Sequence, residues 1–391
     1  MTTQINFFLR RVGIMAFISC LLATAGNAQR EIDLNELGGQ VNIISTAVPF
    51  LGITPDSRAG AMGNAGVAST PSVHAQHVNP AQFAFISGNQ GAAMSYTPWL
   101  RKLVNDINMY YLTGYTRIDE LQVISASLRY FTLGEILLRE TADQMPLQVK
   151  PNEFAIDVAY SRLLSERFSG AVAFRYIRSD LYGGMVENME AGNSFAADLA
   201  FYFQTPTELV GNNSVFTSGI NISNIGNKIS YDGGDTRQFI PTNLRLGVGL
   251  STELDAFNSL NVSFDAMKLL VPTPPLSADM TRDEYFRNND MSVTSAMFRS
   301  FTDAPGGFKE ELQEIAYAIG LEYWYDQQFA IRAGYFHEHE NKGNRKHFTA
   351  GIGLKFNMLS LDASYIIPVV QNNPLANTVR FSLGIDIDQL R

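Results

Sequence analysis

The 391-residue chain is poor in the side chains that usually do chemistry: it has one cysteine, five histidines and two tryptophans, and Asp, Glu, Lys and Arg make up only 17% of it. Cys20 lies inside an apolar run near the N-terminus, so once that run is removed no disulfide or thiol chemistry remains. Its place within the run, not after it, also argues against a lipid anchor at that thiol. The formal charge of -9 disfavours a nucleic-acid partner. There is no Gly-x-Ser-x-Gly elbow, and the few histidines supply no evident general base for a serine. His74 with His77, and His337 with His339 beside Glu338 and Glu340, are read as turn and loop residues, not as metal ligands. Neither an enzyme nor a cofactor is therefore expected. After residue 28 no stretch holds eighteen consecutive apolar residues, which excludes a helical membrane protein.

What is present is Tyr, Phe and Gly, arranged with a period. Residues 1–28 read as a secretory signal: Arg10 and Arg11 precede an apolar run from Val12 to Ala25, and small residues lead to a cut between Ala28 and Gln29. The cut shifts the formal charge to about -11, because two arginines leave with the signal. Residues 29–86 are expected to form an N-terminal segment, periplasmic from about Glu31 to Gly39, followed by a plug. Its centre runs from Pro55 to Thr70, where Gly60, Gly63 and Gly66 alternate with alanines and only Asp56, Arg58 and Met62 have reach. Such a backbone can turn tightly and pass close to enclosing walls. Asp56 and Arg58 would pin it to wall charges of opposite sign, and Asn79-Pro80 closes it with a turn. A nucleotide loop is disfavoured, since no apolar strand runs into these glycines and no Lys-Ser or Lys-Thr follows them.

From residue 87 to 391 the pattern has period two. Phe154, Ile156, Val158 and Tyr160 alternate with Ala155, Asp157, Ala159 and Ser161, and Val379, Phe381, Leu383 and Ile385 alternate with Arg380, Ser382, Gly384 and Asp386. About fourteen runs of this kind, each roughly ten residues long, predict an all-β fold: a transmembrane outer-membrane barrel of antiparallel strands with the N-terminal plug in its lumen. Short links alternate with long ones, as inner turns and outer loops should. Inward positions are small or polar, among them Ala171, Gly247, Gly320 and Gly351, with charges at Arg175, Asp198, Arg245, Asp265, Glu322, Arg332, Lys355 and Arg380. So wide a barrel with so little inside needs a filler. Tyr96, Trp99, Tyr110, Tyr111, Tyr202, Tyr323, Trp324 and Tyr325 are expected in interfacial girdles. The longest link, Met267 to Glu314, carries Tyr285, Phe286, Met291, Met297, Phe298, Phe301 and Phe308, too apolar for a solvated linker and suited to a partner surface. Its acidic cluster, Glu310, Glu311 and Glu314, is read as the solvated face of a short helix.

These residues carry a resemblance. The run from Asp56 to Ala68, then Asn79-Pro80-Ala81, then Ser95-Tyr96-Thr97-Pro98-Trp99-Leu100, resembles the PorV/PorQ family of the Bacteroidetes type IX secretion system, within a wider group of plugged barrels similar to the fatty-acid channel FadL. The glycine-rich motif marks the wider group, and the Ser95 to Leu100 stretch narrows it. One departure is the last strand, which ends at Arg391 without the terminal aromatic common in such barrels. The resemblance implies a carrier in the outer membrane, in contact with its lipid, that works with a very large translocon barrel and a surface sortase and receives cargo bearing a conserved C-terminal domain. The alternative it leaves open is a FadL-like channel for hydrophobic small molecules.

Overall fold

A computed structural model describes residues 42–387 apart from 105, 139–144, 185, 187, 275–290 and 371–372. The strands are β1 Gln90–Pro98, β2 Asn108–Arg117, β3 Gln122–Thr132, β4 Ile136–Leu138, β5 Leu147–Val149, β6 Asn152–Ser165, β7 Phe168–Asp180, β8 Gly192–Leu209, β9 Asn212–Gly226, β10 Asn243–Glu253, β11 Asn258–Leu269, β12 Ala316–Tyr325, β13 Phe329–His337, β14 Lys346–Phe356, β15 Leu359–Pro368 and β16 Val379–Asp386. Among the described residues, fourteen strands close into one antiparallel barrel, and β4 with β5 forms a small hairpin outside it. The seam pairs the first strand with the last, from Gly91 opposite Asp386 to Tyr96 opposite Phe381. Closure leaves no unpaired edge, which lipid would penalise at every exposed amide.

Alternation sets the two faces. Ile156, Val158 and Tyr160 of β6 are exposed towards the membrane, whereas Ala155, Asp157, Ala159 and Ser161 are buried in the lumen. The run read from Val379 to Asp386 is β16, and the one from Phe154 to Ser161 lies within β6. The short and long links also keep their parity: residues 118–121, 166–167, 210–211, 254–257, 326–328 and 357–358 turn at one end, and the long loops gather at the other. By that asymmetry the short turns face the periplasm and the long loops face outward. At the outer end Tyr96, Tyr110 and Tyr130 line up, their ring centroids 5.3 and 6.4 Å apart. Tyr111 and Tyr202 do not join a girdle. Their parity turns them inward, where they are buried against the plug.

The lumen holds residues 42–86. They include the one-turn helix α1 Ser57–Ala61 and the 3-10 segments Pro49–Gly52, Ala75–His77 and Pro80–Phe85. Outside the lumen, the loop between β11 and β12 carries α2 Val293–Arg299 and α3 Phe308–Gln313. The signal, the cut at Ala28 and Gln29, and the periplasmic stretch expected from Glu31 to Gly39 lie outside the described residues. The first described residue, Asn42, stands at the long-loop end: its N–H donates to Asn341 O at 3.0 Å.

Candidate functional site

The plug has little regular structure, so its backbone groups need partners that it cannot supply itself. Polar wall side chains provide them. Thr349 Oγ1 donates to Ala61 O (2.7 Å) and accepts from the Gly63 N–H (2.9 Å). Asp265 Oδ2 accepts from the Gly66 and Val67 N–H groups at 2.8 and 3.0 Å. Ser161 and Ser169 donate to Pro80 O and Ala81 O, both at 2.7 Å. Serine, threonine and aspartate on an inward face are thus explained by the irregular chain they must saturate.

Close approach accounts for the glycines. Gly63 has φ +67°, and a Cβ there would stand 2.6 Å from Tyr335 N. Directly across, a Cβ on Gly334 would overlap the Gly63 amide nitrogen. Plug and wall therefore meet backbone to backbone, which only glycine permits on both sides. Gly60 instead packs against the Arg380 side chain of the wall, Gly66 against the Val78 side chain within the plug, and Met62 is buried.

Arg58 grips Glu322 as a fork, Nε and Nη2 donating to the two carboxylate oxygens at 2.9 and 2.8 Å. Glu322 also accepts from Arg332 Nε (2.6 Å) and Asn261 Nδ2 (2.9 Å), and Arg332 reaches Asp362 at 2.7 Å. Asp56 behaves differently from expectation. Its carboxylate caps α1 by accepting from Ala59 N (2.9 Å), and its other oxygen lies 3.1 Å from Nε2 of His77, a residue of the plug itself and not a wall cation. Asn79 donates to Val67 O and Phe201 O and accepts from Ala81 N, so it fixes the turn that Pro80 begins. Beside Asp56, Arg58, Ser69 and His74 remains a cavity of about 10 Å³, room for about one water. A second hollow, of about 540 Å³, lies on the membrane side of the wall between Ala92, Met94, Leu112, Gly114 and Leu128.

At the outer mouth the acidic cluster is not solvated. Glu311 and Glu314 are buried, with Lys268 Nζ 3.0 and 2.6 Å from them. Lys342 Nζ pairs with Glu310 (2.6 Å) and Glu314 (2.9 Å), and Thr273 donates to Glu314 (2.6 Å). Helix α3 therefore turns its carboxylates to the barrel and its apolar residues outward: Phe308 is 76% exposed and Leu312 48%. Phe298 of α2 (76%) and Phe301 (46%) are exposed on the same loop, while Ala296 anchors α2 against Phe239 and Val271. Met297 is only half-exposed, and Tyr285 and Phe286 lie outside the described residues.

The family model described as "Type IX secretion system protein PorV" matches residues 37–276. The chain belongs to the PorV family. It is accordingly an outer-membrane β-barrel component of type IX secretion. No curated protein matches it. Among solved structures, the toluene transporter TodX of Pseudomonas putida is 12% identical at a TM-score of 0.46, over 88% of this chain and 98% of that one. The CymD monoaromatic hydrocarbon channel is 9% identical at 0.47, over 88% and 99%. A Pseudomonas aeruginosa FadL homologue is 10% identical at 0.38, over 88% and 99%. The fold of this PorV-family chain rests on its own strand register.

Some plug contacts were missed in the sequence. Gln76 donates to Asp157, which also receives Ser127 (3.0 Å) and Arg175 (3.3 Å), and Arg129 Nη1 donates to Leu51 O at 2.7 Å. Arg129 and Asp157 occupy inward positions of β3 and β6, so parity alone could have flagged them. Gln76 gave no such signal.

Proposed function

We propose that the protein is a non-catalytic carrier of type IX secretion, which binds exported cargo through the cargo's C-terminal domain and passes it from the translocon barrel to the surface sortase complex. The observation that carries this reading is the inside-out helix α3: its charges are spent on Lys268 and Lys342, leaving Phe308 and Leu312, with Phe298 and Phe301, as an apolar face on a rigid support. Exposed apolar groups rimmed by polar ones suit a protein partner. In this reading the plug motif of Asp56, Arg58, Gly60, Met62, Gly63, Gly66, Asn79 and Pro80 keeps the lumen shut while the mouth does the work. A FadL-like channel would need an apolar chamber behind the plug; buried charges and a one-water cavity around Asp56 and Arg58 support the carrier instead. Cleavage between Ala28 and Gln29 would deliver the chain to the membrane.

The test is the double variant Phe298→Ser with Phe308→Ser in the native membrane. Expected is a barrel that inserts and melts as the parent does, with cargo lost from the cell surface and the translocon lost from affinity purification. Undiminished cargo display in that variant sinks the assignment of this face. Normal display in a strain lacking the whole protein sinks the carrier role itself.

A further inference from the structure

One hollow in the wall has no part in the plug or the mouth. Wall side chains facing the membrane are mostly large, yet Ala92, Gly114 and Ala126 stand in register across β1, β2 and β3. The next row towards the outer end is bulky, with Met94 opposite Leu112 and Leu112 opposite Leu128, and Leu383 and Ile385 of β16 flank β1 on its other side. The result is an apolar hollow of about 540 Å³ on the membrane side, within the range of about 300–1,000 Å³ that small-molecule sites occupy. It opens into hydrocarbon, where an unfilled void forfeits the dispersion contacts of its lining.

Towards the turn end the same outward face becomes polar. Gln90 donates to Thr116 (3.4 Å), one row below Ala92 and Gly114, and Tyr160 donates to Gln122. Arg162 of β6 stands opposite Gln122 in the ladder. It is exposed, and no described residue pairs with its guanidinium.

We propose that this face binds one phospholipid of the periplasmic leaflet, with an acyl chain seated in the hollow over Ala92, Gly114 and Ala126 and the phosphate at Arg162. Charge decides which way the lipid lies. The nine outward residues that line the hollow are all apolar, whereas the free cation sits at the level of Gln122, four strand residues or about 13 Å along β3 from Ala126. A phosphodiester offers the two acceptor oxygens that a guanidinium fork takes best. Depth decides the leaflet: the short turns mark the periplasmic side, and Arg162 lies close to the turn at residues 166–167. A lipid of the outer leaflet would bring its phosphate to the long-loop end, away from Arg162. The seated chain also crosses the closing seam, where Ala92 pairs with Ile385 and Met94 with Leu383. That ladder, of six pairs, is the shortest among the described strands, so the lipid clips the first strand to the last from outside.

The test uses the full chain, purified in mild detergent and returned to phosphatidylcholine vesicles doped with a phosphatidylethanolamine that carries a diazirine near the end of one acyl chain. Irradiation should mark residues 92–94 and 112–128 several-fold more than Leu246, Val248 and Phe264 on the far wall. Ala92→Leu with Ala126→Leu fills the hollow with the protein's own side chains and should erase that excess. Arg162→Gln should lower it several-fold, and Arg162→Lys should restore most of it. Labelling spread evenly round the barrel means annular lipid only and overturns the proposal. So does an excess that survives the double leucine variant, or one that Arg162→Gln leaves unchanged. Loss of the excess to added oleate or lipopolysaccharide, at concentrations where unlabelled phosphatidylethanolamine does not compete, overturns the assignment to a phospholipid. Arg162 is a surface residue, so its variants should melt as the parent does and keep the test open even where the double leucine variant fails to insert.

Discussion

Replacing Arg58 by methionine keeps most of the side-chain volume and removes the charge, which isolates the electrostatic part of plug retention. In the parent, Arg58 is 11% exposed and Glu322 not at all, and two of the guanidinium hydrogen bonds join them. Taking one partner from a buried ion pair typically costs about 3–5 kcal/mol. Glu322 would keep Arg332 and Asn261, so the lower end applies, about 3 kcal/mol or roughly a hundredfold in the closed-to-open ratio of the plug. Arg58→Lys restores the charge without the fork and should recover only part of the loss. Conductance across planar bilayers reads the plug, and thermal unfolding in detergent reads the barrel. The parent should pass little current and Arg58→Met should open frequently, with the barrel still closed by β1 and β16. If Arg58→Met stays within about 0.5 kcal/mol of the parent, as an exposed pair would, and no more current flows, then the pair does not hold the plug and the reasoning from burial is wrong.

Gly63→Ala should lower the melting temperature, since the left-handed backbone alone costs an alanine about 1–2 kcal/mol, and the new Cβ meets Tyr335 as well. Lys342→Met leaves Glu310 without its cation and Glu314 with only Lys268, so α3 should loosen by about 3 kcal/mol and limited proteolysis should cut first near residues 304–315. Acid should act on the same contact. Burial opposes ionisation of Glu310, but the Lys342 ammonium and the Gly306 N–H outweigh it and hold the carboxyl below its usual 4.5. A depressed pKa contributes stability above the unfolded value that disappears as pH falls through the folded one. Amide protection in residues 308–314, corrected for the intrinsic pH dependence of exchange, should therefore be steady from neutrality to about pH 5 and fall below pH 4.5, and a flat profile would refute the link.

The barrel was legible because its signal is local. Side chains two apart share a face, so β6 and β16 could be read from Phe154 to Ser161 and from Val379 to Asp386, and the alternation of short and long links fixed the parity. The plug was legible from the spacing of Gly60, Gly63 and Gly66, and Arg58 found an inward acid as expected. What failed were inferences about partners distant in sequence. Glu310, Glu311 and Glu314 look like a solvated stripe because their lysines come from β11 and from the loop after β13, 28 to 46 residues away. Asp56 was assigned a wall cation, but the plug chain between residues 61 and 75 returns and sets His77 beside it. Tyr111 and Tyr202 were misplaced because an aromatic residue on a strand suits a membrane interface and a packed lumen equally well, and only its parity decides.

The seam between β1 and β16 bears on how the molecule is made. Arg380, on the last strand, donates to Thr54 O (3.1 Å), and Ser382 Oγ accepts from Ser57 N (2.9 Å), so the plug is tied across 326 and 325 residues to the end of the chain. A partly assembled sheet therefore lacks both its closing edge and its last hold on the plug, and the step that zips the wall is also the step that traps the filler. A finished cylinder without its stopper would lack both of these ties, so the closing of the wall and the seating of the plug stabilise each other.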